Sequence, residues 1–318
     1  MSWLRLGEAY SKAGRYAAAF KALERARELD PEDWVASYFI GDVQRQMGAY
    51  VEAINAFEAI LVGRPAELGV LHSLGQTYLE LGNFELATGF LARAETSFLS
   101  AIRVTLVLLD TSSGFRRVAW KTIADSLYQL SSPSGFSDQD SVKEVAASVL
   151  PLVTAHPGKD LVNIISESLS IDDETDIVLF TPQVAFAAYE YRLSLGAIDD
   201  VAKATAHYDL GASLSAFARR TLDAVKREKA QQEAIAQFKN ALRLEPGNDV
   251  FWIALGNATF LSQPTLCQHA YIRAIEIDGK VSISFAPSFC PSDCFPERGD
   301  LDQSRHVLSP PRRRRAGE

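Results

Sequence analysis

The sequence predicts an all-α protein, a superhelical solenoid of stacked helix pairs, and three observations predict it. A motif returns every 34 residues, and glycine and proline punctuate each copy at the same places. The composition, 47% apolar and 23% charged, suits a water-soluble helical chain. No uncharged apolar run reaches the ~18 residues that a membrane span needs.

The first copy reads Trp3-x2-Leu6-Gly7-x2-Tyr10, then Gly14, Tyr16, Ala19, Leu23, Ala26 and Pro31. The second sets Ile40-Gly41, Gly48, Tyr50, Ala53, Phe57, Ile60 and Pro65 each 34 residues after its counterpart. The third places Leu71, Leu74-Gly75, Tyr78, Gly82, Phe84, Ala87, Leu91 and Ala94 in the same step, with Leu99 where the proline would stand. This is the pattern of the tetratricopeptide (TPR) repeat, whose default function is to hold other proteins. Each unit is two antiparallel helices that become stable only by stacking on neighbours. The repeat-packing positions are small: Gly7, Gly41 and Gly75 let the second helix approach the first, where it sets Ala19, Ala53 and Ala87. Gly14, Gly48 and Gly82 are expected to end the first helices in a left-handed conformation, and Pro31 and Pro65 to stop the second. Residues 1–101 thus read as three regular repeats.

From 102 to 200 the strict period lapses into an irregular helical, TPR-like segment. Ala119 to Ala124 puts Trp120 and Ile123 at the spacing of a first helix, but its partner helix is displaced. Turn formers from Ser131 to Asp140 precede Ser141-Val142-Lys143-Glu144, which reads as a capping box opening an amphipathic helix toward Val153. His156-Pro157-Gly158-Lys159 breaks the chain, and Asp172-Asp173-Glu174 reads as a solvated loop. A longer helix pair is expected from about Pro182 to Lys229.

Residues 201–279 hold two further TPR-like units. His207-x2-Leu210-Gly211-x2-Leu214 copies a first helix, and Ala234, Phe238, Ala241 and Pro246 a second, with about eleven extra residues between them. Those residues are expected to lengthen both helices into a projecting ridge. Trp252-x2-Leu255-Gly256 opens the next unit, with Gly256 as its packing glycine, closed by Tyr271, Ala274 and Ile277. Residues 280–318, rich in Pro and Ser and ending near Arg312 to Arg315, keep no helical period and read as a disordered or non-native tail.

The net charge of -8 disfavours generic nucleic-acid binding. Cys267, Cys290 and Cys294 are too few and too clustered for a disulfide framework, which places the chain in a reducing compartment, the cytoplasm, with a nuclear pool as the alternative. Met1-Ser2-Trp3 enters the first repeat directly, without a signal peptide, and an array that opens this way is expected to be a fragment.

Catalytic readings find little support. Cys267 and His269 are near in sequence, but neighbouring helical residues point about 100° apart and do not face each other. Cys290, Cys294 and His306 lack a fourth zinc ligand. Gly158-Lys159 lacks the rest of a phosphate-binding loop. Arg312 to Arg315 and Arg298-Gly299-Asp300 lie in the tail and read as noise. Neither an enzyme, a cofactor nor a metal is expected. Protein contacts are, because first helices line the concave face of such an array. The groove-facing residues are Leu4, Glu8, Ser11, Lys12, Val35, Tyr38, Asp42, Arg45, Gln46, His72, Gln76, Leu79 and Glu80. Tyr38 and Arg45 lead, since Tyr and Arg are enriched among binding hot spots. A clamp for chaperone tails resembles a Lys and an Asn where Leu4 and Glu8 stand.

A more specific resemblance is carried by Trp34 to Gln46, by Gly69-Val70-Leu71 with Gln76 to Leu79, by Gly114 to Arg117 running into Ala119 to Asp125, and by Ala254 to Ala258 with Gln268 to Ile272. These segments resemble the TPR scaffold subunits of the fungal superkiller (Ski) complex, over roughly residues 2 to 279. The resemblance implies a non-enzymatic scaffold whose partners are a DExH RNA helicase, WD40 propeller subunits and exosome-linked factors, in an assembly that feeds messenger RNA to 3′ to 5′ decay in the cytoplasm. Direct nucleic-acid or membrane binding is not implied. Family members gather the helicase and propellers mainly through a C-terminal part, so this stretch is expected to be the connecting arm. The alternative is a general TPR adaptor for another assembly, such as transport, chaperone or cell-cycle machinery.

Overall fold

The computed structural model describes residues 2–131, 136–154, 177–196 and 199–278. The expectations for His156 to Lys159, Asp172 to Glu174 and the tail, including Cys290, Cys294, Arg298 to Asp300, His306 and Arg312 to Arg315, lie outside the described residues. Among the described residues there are thirteen α-helices and no strand. The chain divides into two compact units, Met1–Glu245 and Pro246–Glu318. None of the described helices is long and apolar enough to cross a membrane.

In the first unit, α1 (Trp3–Lys12) pairs with α2 (Tyr16–Leu29), and α3 (Trp34–Gln46) with α4 (Tyr50–Gly63). Local chemistry sets their ends. The side chains of Ser2 and Asp33 accept the backbone N–H of Arg5 and Val35 and cap α1 and α3. Gly14 and Gly48 leave those helices at φ of 70° and 79°, a conformation that costs a side chain dearly. The pairs close over apolar residues: Ala19, Leu23, Ile40 and Val43 form one cluster, and Ala53, Ile54, Phe57, Ile60, Val70 and Leu74 the next.

The third pair departs from the expected register. Helix α5 (Leu68–Ala87) runs straight through Gly82, and the left-handed turn comes at Gly89, φ 85°. The second helix, α6, is Leu91–Thr111. Its small packing residue is therefore the buried Ala94, while Ala87 is exposed at the end of α5. Gly82 and Phe98 now meet as Gly41 and Phe57 do one pair earlier; a Cβ on Gly82 would stand 2.6 Å from the Phe98 ring. Seven residues have been added to the repeat before its second helix, and seven residues are almost two helical turns. The hairpin is longer by that much, and Gly75 now faces Thr105 instead. With no proline at Leu99, α6 continues unbroken through residue 101.

Beyond it, α7 (Arg116–Leu130) packs on α6 and on α9 (Ile177–Ser194), so its hairpin partner is not the next helix in sequence. Helix α8 (Gln139–Thr154) begins two residues before Ser141, and no capping box opens it. The Asp138 carboxylate takes the Ser141 N–H instead, and the buried Glu95 of α6 accepts the N–H groups of Ser137 and Asp138 at 2.8 and 2.7 Å. Two carboxylates there suit the positive end of the helix dipole. Pro182 lies inside α9 rather than at a helix start. That helix is the hub of the segment: Val184 to Tyr189 are all buried, and Phe186 packs on Phe217. Helices α10 (Asp200–Arg220) and α11 (Ala224–Leu244) are 21 residues each against 13 and 14 for α3 and α4. The extra residues between His207 and Pro246 extend both helices beyond the Gly211–Phe238 contact.

The second unit is a hairpin of α12 (Asp249–Thr259) and α13 (Pro264–Ile277). A Cβ on Gly256 would stand 2.7 Å from the Tyr271 ring, so this glycine is the packing residue of its pair. The Tyr271 hydroxyl donates to Asn257 at 2.7 Å, and burial, then Cys267, push its pKa up to about 12.

Candidate protein-docking site

The face shared by α1, α3 and α5 carries a ladder of side-chain contacts with one spacing. Ser11 donates to Gln46 at 3.4 Å, Tyr38 shares a 3.1 Å hydrogen bond with Ser73, and Arg45 donates to Glu80 at 2.6 Å. Each pair is separated by 35 residues, one repeat and one step. Equivalent helices lie side by side, so a residue on one reaches the position after its own equivalent on the next.

The rungs are joined along each helix. Gln46 donates to Asp42 at 2.6 Å, Arg45 grips the same carboxylate at 2.9 Å, and Gln76 donates to Glu80 at 3.1 Å. One connected chain, Ser11–Gln46–Asp42–Arg45–Glu80–Gln76, thus crosses three helices. The Arg45 side chain keeps 18% of its exposure, so the network is half sheltered and pre-ordered rather than floppy. Burial works against the Arg45 charge, but the hydrogen bond it donates to Asp42 and the charge of Glu80 outweigh it and raise its pKa. His72 stands apart, its ring 5.9 Å from that of Phe115. Burial lowers the His72 pKa, with the charge of Arg45 as the second cause, so the imidazole is neutral at pH 7.

The structure brings Tyr38, Asp42, Arg45, Gln46, Gln76 and Glu80 together, and sets His72 on the same helix toward α7. It corrects one of the wider set, since Leu79 is only 9% exposed; Leu4 and Tyr38 are both half-buried, Leu4 against the α2–α3 core and Tyr38 against the cluster around Phe57. Glu8 is held by Lys12 at 2.7 Å on the exposed side of α1. What the arrangement offers is a surface of fixed hydrogen-bond acceptors and donors flanked by Tyr38, which suits recognition of a protein chain. In the second unit Cys267 is buried and His269 packs edge-on against Trp252 with ring centroids 5.8 Å apart.

A second charged cluster escaped sequence reasoning. Lys121 and Asp125 of α7, Tyr189 and Arg192 of α9 and Asp209 of α10 meet in the irregular segment. Arg192 reaches Asp209 at 2.6 Å, Lys121 bridges Asp209 at 3.3 Å and Asp125 at 2.9 Å, and Tyr189 donates to Asp125 at 2.7 Å. Behind them the Trp120 and Tyr191 rings pack edge to face at 4.8 Å. The one signal was that Ala119 to Asp125 matched a pattern outside the repeat positions; nothing marked Arg192 or Asp209.

The tetratricopeptide repeat family matches residues 4–67. Superkiller protein 3 of Schizosaccharomyces pombe is 33% identical over 260 residues, covering 80% of this chain and 18% of that protein. Tetratricopeptide repeat protein 37 of Xenopus laevis is 27% identical, covering 87% and 16%. Superkiller protein 3 of Saccharomyces cerevisiae is 23% identical, covering 88% and 20%. The chain therefore spans about a fifth of the length of the relatives it matches.

Proposed function

Because the chain is a tetratricopeptide-repeat protein related to Superkiller protein 3, we propose that it is a non-catalytic, protein-binding arm of a Ski-type scaffold that supports exosome-linked 3′ to 5′ messenger-RNA decay in the cytoplasm. The observation that carries this reading is the extent of the kinship. A match of 260 residues cannot fit inside three repeats and must run through the irregular helices as well. Shared repeat positions alone would not produce it, because those helices do not follow the repeat.

The ladder on α1, α3 and α5 is the docking face in this proposal. Its acceptors and donors are already fixed by one another, so a partner meets an ordered surface and loses less entropy on binding. By the family resemblance the assembly's other members are a DExH helicase, WD40 propeller subunits and exosome-linked factors, and the ladder is proposed to give the connecting arm its own share of those contacts. The test is affinity capture with the tagged chain, wild type against Tyr38→Ala with Gln76→Ala. Recovery of these factors by wild type and its loss in the variant, with helix content unchanged, is the expected result. Equal recovery by both would remove the ladder as the docking face. Capture of a different assembly alone would make the chain a general TPR adaptor.

A further inference from the structure

We propose that the cleft between α7, α9 and α10 is a separate docking site that takes a short partner segment combining acidic and apolar side chains; this rests on the reading of the chain as a protein-binding scaffold. The cleft holds a cavity of 290 Å³. Its apolar lining is formed by Val118, Leu193, Ala202 and Ala206. Among the described residues that line it, the charged ones are all of one sign, Arg117, Lys121 and Arg192, and none is a carboxylate. The volume is at the small end of the range for binding cavities, about 300–1,000 Å³, and matches one or two apolar side chains.

The cations differ in a way that suits capture of a carboxylate. Lys121 and Arg192 are both ion-paired with Asp209, and Lys121 with Asp125 as well, which fixes where their remaining N–H groups stand. Arg117 is exposed on α7 and has no acceptor among the described residues. An incoming acidic side chain therefore finds one unengaged guanidinium beside two pre-positioned cations, while a neighbouring Leu or Phe side chain leaves water for the apolar lining. Among the described lining residues there is no aromatic ring on which a base would stack, which favours a peptide over single-stranded RNA.

A random peptide display library panned on the full chain tests this, with clones re-measured on Arg117→Glu and on Ala202→Trp, which crowds the apolar lining. The expected clones pair Asp or Glu with large apolar residues, weaken at high salt, and lose about tenfold or more in affinity on each variant. Circular dichroism of both variants checks that the helices remain. Failure to enrich such clones, or enrichment of basic ones, overturns the proposal. So does tight binding of a fluorescent oligouridylate that Arg117→Glu abolishes, which would assign the cleft to a phosphate backbone. Clones that ignore both variants but are lost on Tyr38→Ala would uphold the ladder as a docking face and still overturn the cleft.

Discussion

Replacing Gly41 with alanine tests the packing logic of the array at one atom. The new Cβ would stand 2.8, 3.1 and 3.2 Å from three carbons of the Phe57 ring. Phe57 is 0% exposed and enclosed by its cluster, so the ring has nowhere to retreat. Overpacking of this kind costs about 1–3 kcal/mol, against a gain of about 1 kcal/mol from removing a glycine inside a helix. The net expectation is a loss of up to about 2 kcal/mol. Gly63→Ala is the control, since it also lies in a helix but nothing stands within 4 Å of its added carbon. It should stabilise by about 0.4–1 kcal/mol. Urea unfolding followed by helix ellipticity gives both values, and their difference isolates the clash. Adding Phe57→Leu to Gly41→Ala should recover part of the loss, a coupling of about 0.5 kcal/mol or more. Equal stabilisation by both alanines, or strict additivity in the cycle, would refute the contact as the reason for the glycine.

Arg45→Met severs the links to Asp42 and Glu80 at once and should cost about 2 kcal/mol, the range of hydrogen bonds to charged groups; a double-mutant cycle with Glu80→Met measures how much belongs to that pair. Asp209→Ala leaves Arg192, whose side chain is 12% exposed, without its carboxylate and should cost about 3–5 kcal/mol in chemical unfolding. For His72, burial, then Arg45, depresses the folded pKa below 6.5, so as pH falls the unfolded chain takes the proton first. The stability His72 supports is present above about pH 6.5 and lost progressively below it, and unfolding midpoints of His72→Gln across that window should show a shallower decline.

The repeat class was legible because its cause is local. A glycine that must admit a ring, a glycine that must turn left and a proline that must stop a helix each leave a fixed residue at a fixed place, as at Gly41, Gly48 and Pro65. The third repeat misled for an equally physical reason. Seven residues return a helix to nearly the same face, so Gly75 and Gly82, or Ala87 and Ala94, satisfy the same pattern and sequence spacing cannot choose between them. Only the meeting of Gly82 with Phe98 shows which register the helices adopt.

The groove candidates were chosen from helix geometry, which fixes the face a residue presents but not what it touches. Asp42, Arg45, Gln46, Gln76 and Glu80 share a face by sequence arithmetic, while their joining into one network depends on the distance between stacked helices. Glu95 capping α8 from 42 residues away, and Asp209 meeting Lys121 across 88, left no trace in local sequence. By itself the sequence determined the first two helix pairs and the glycines that end their first helices, because those follow from contacts within a few turns. The tertiary structure decided the register of the third pair, the partner of α7 and the cleft lined by Arg117, Lys121 and Arg192. Those depend on which distant side chains the packed helices bring within a few ångströms.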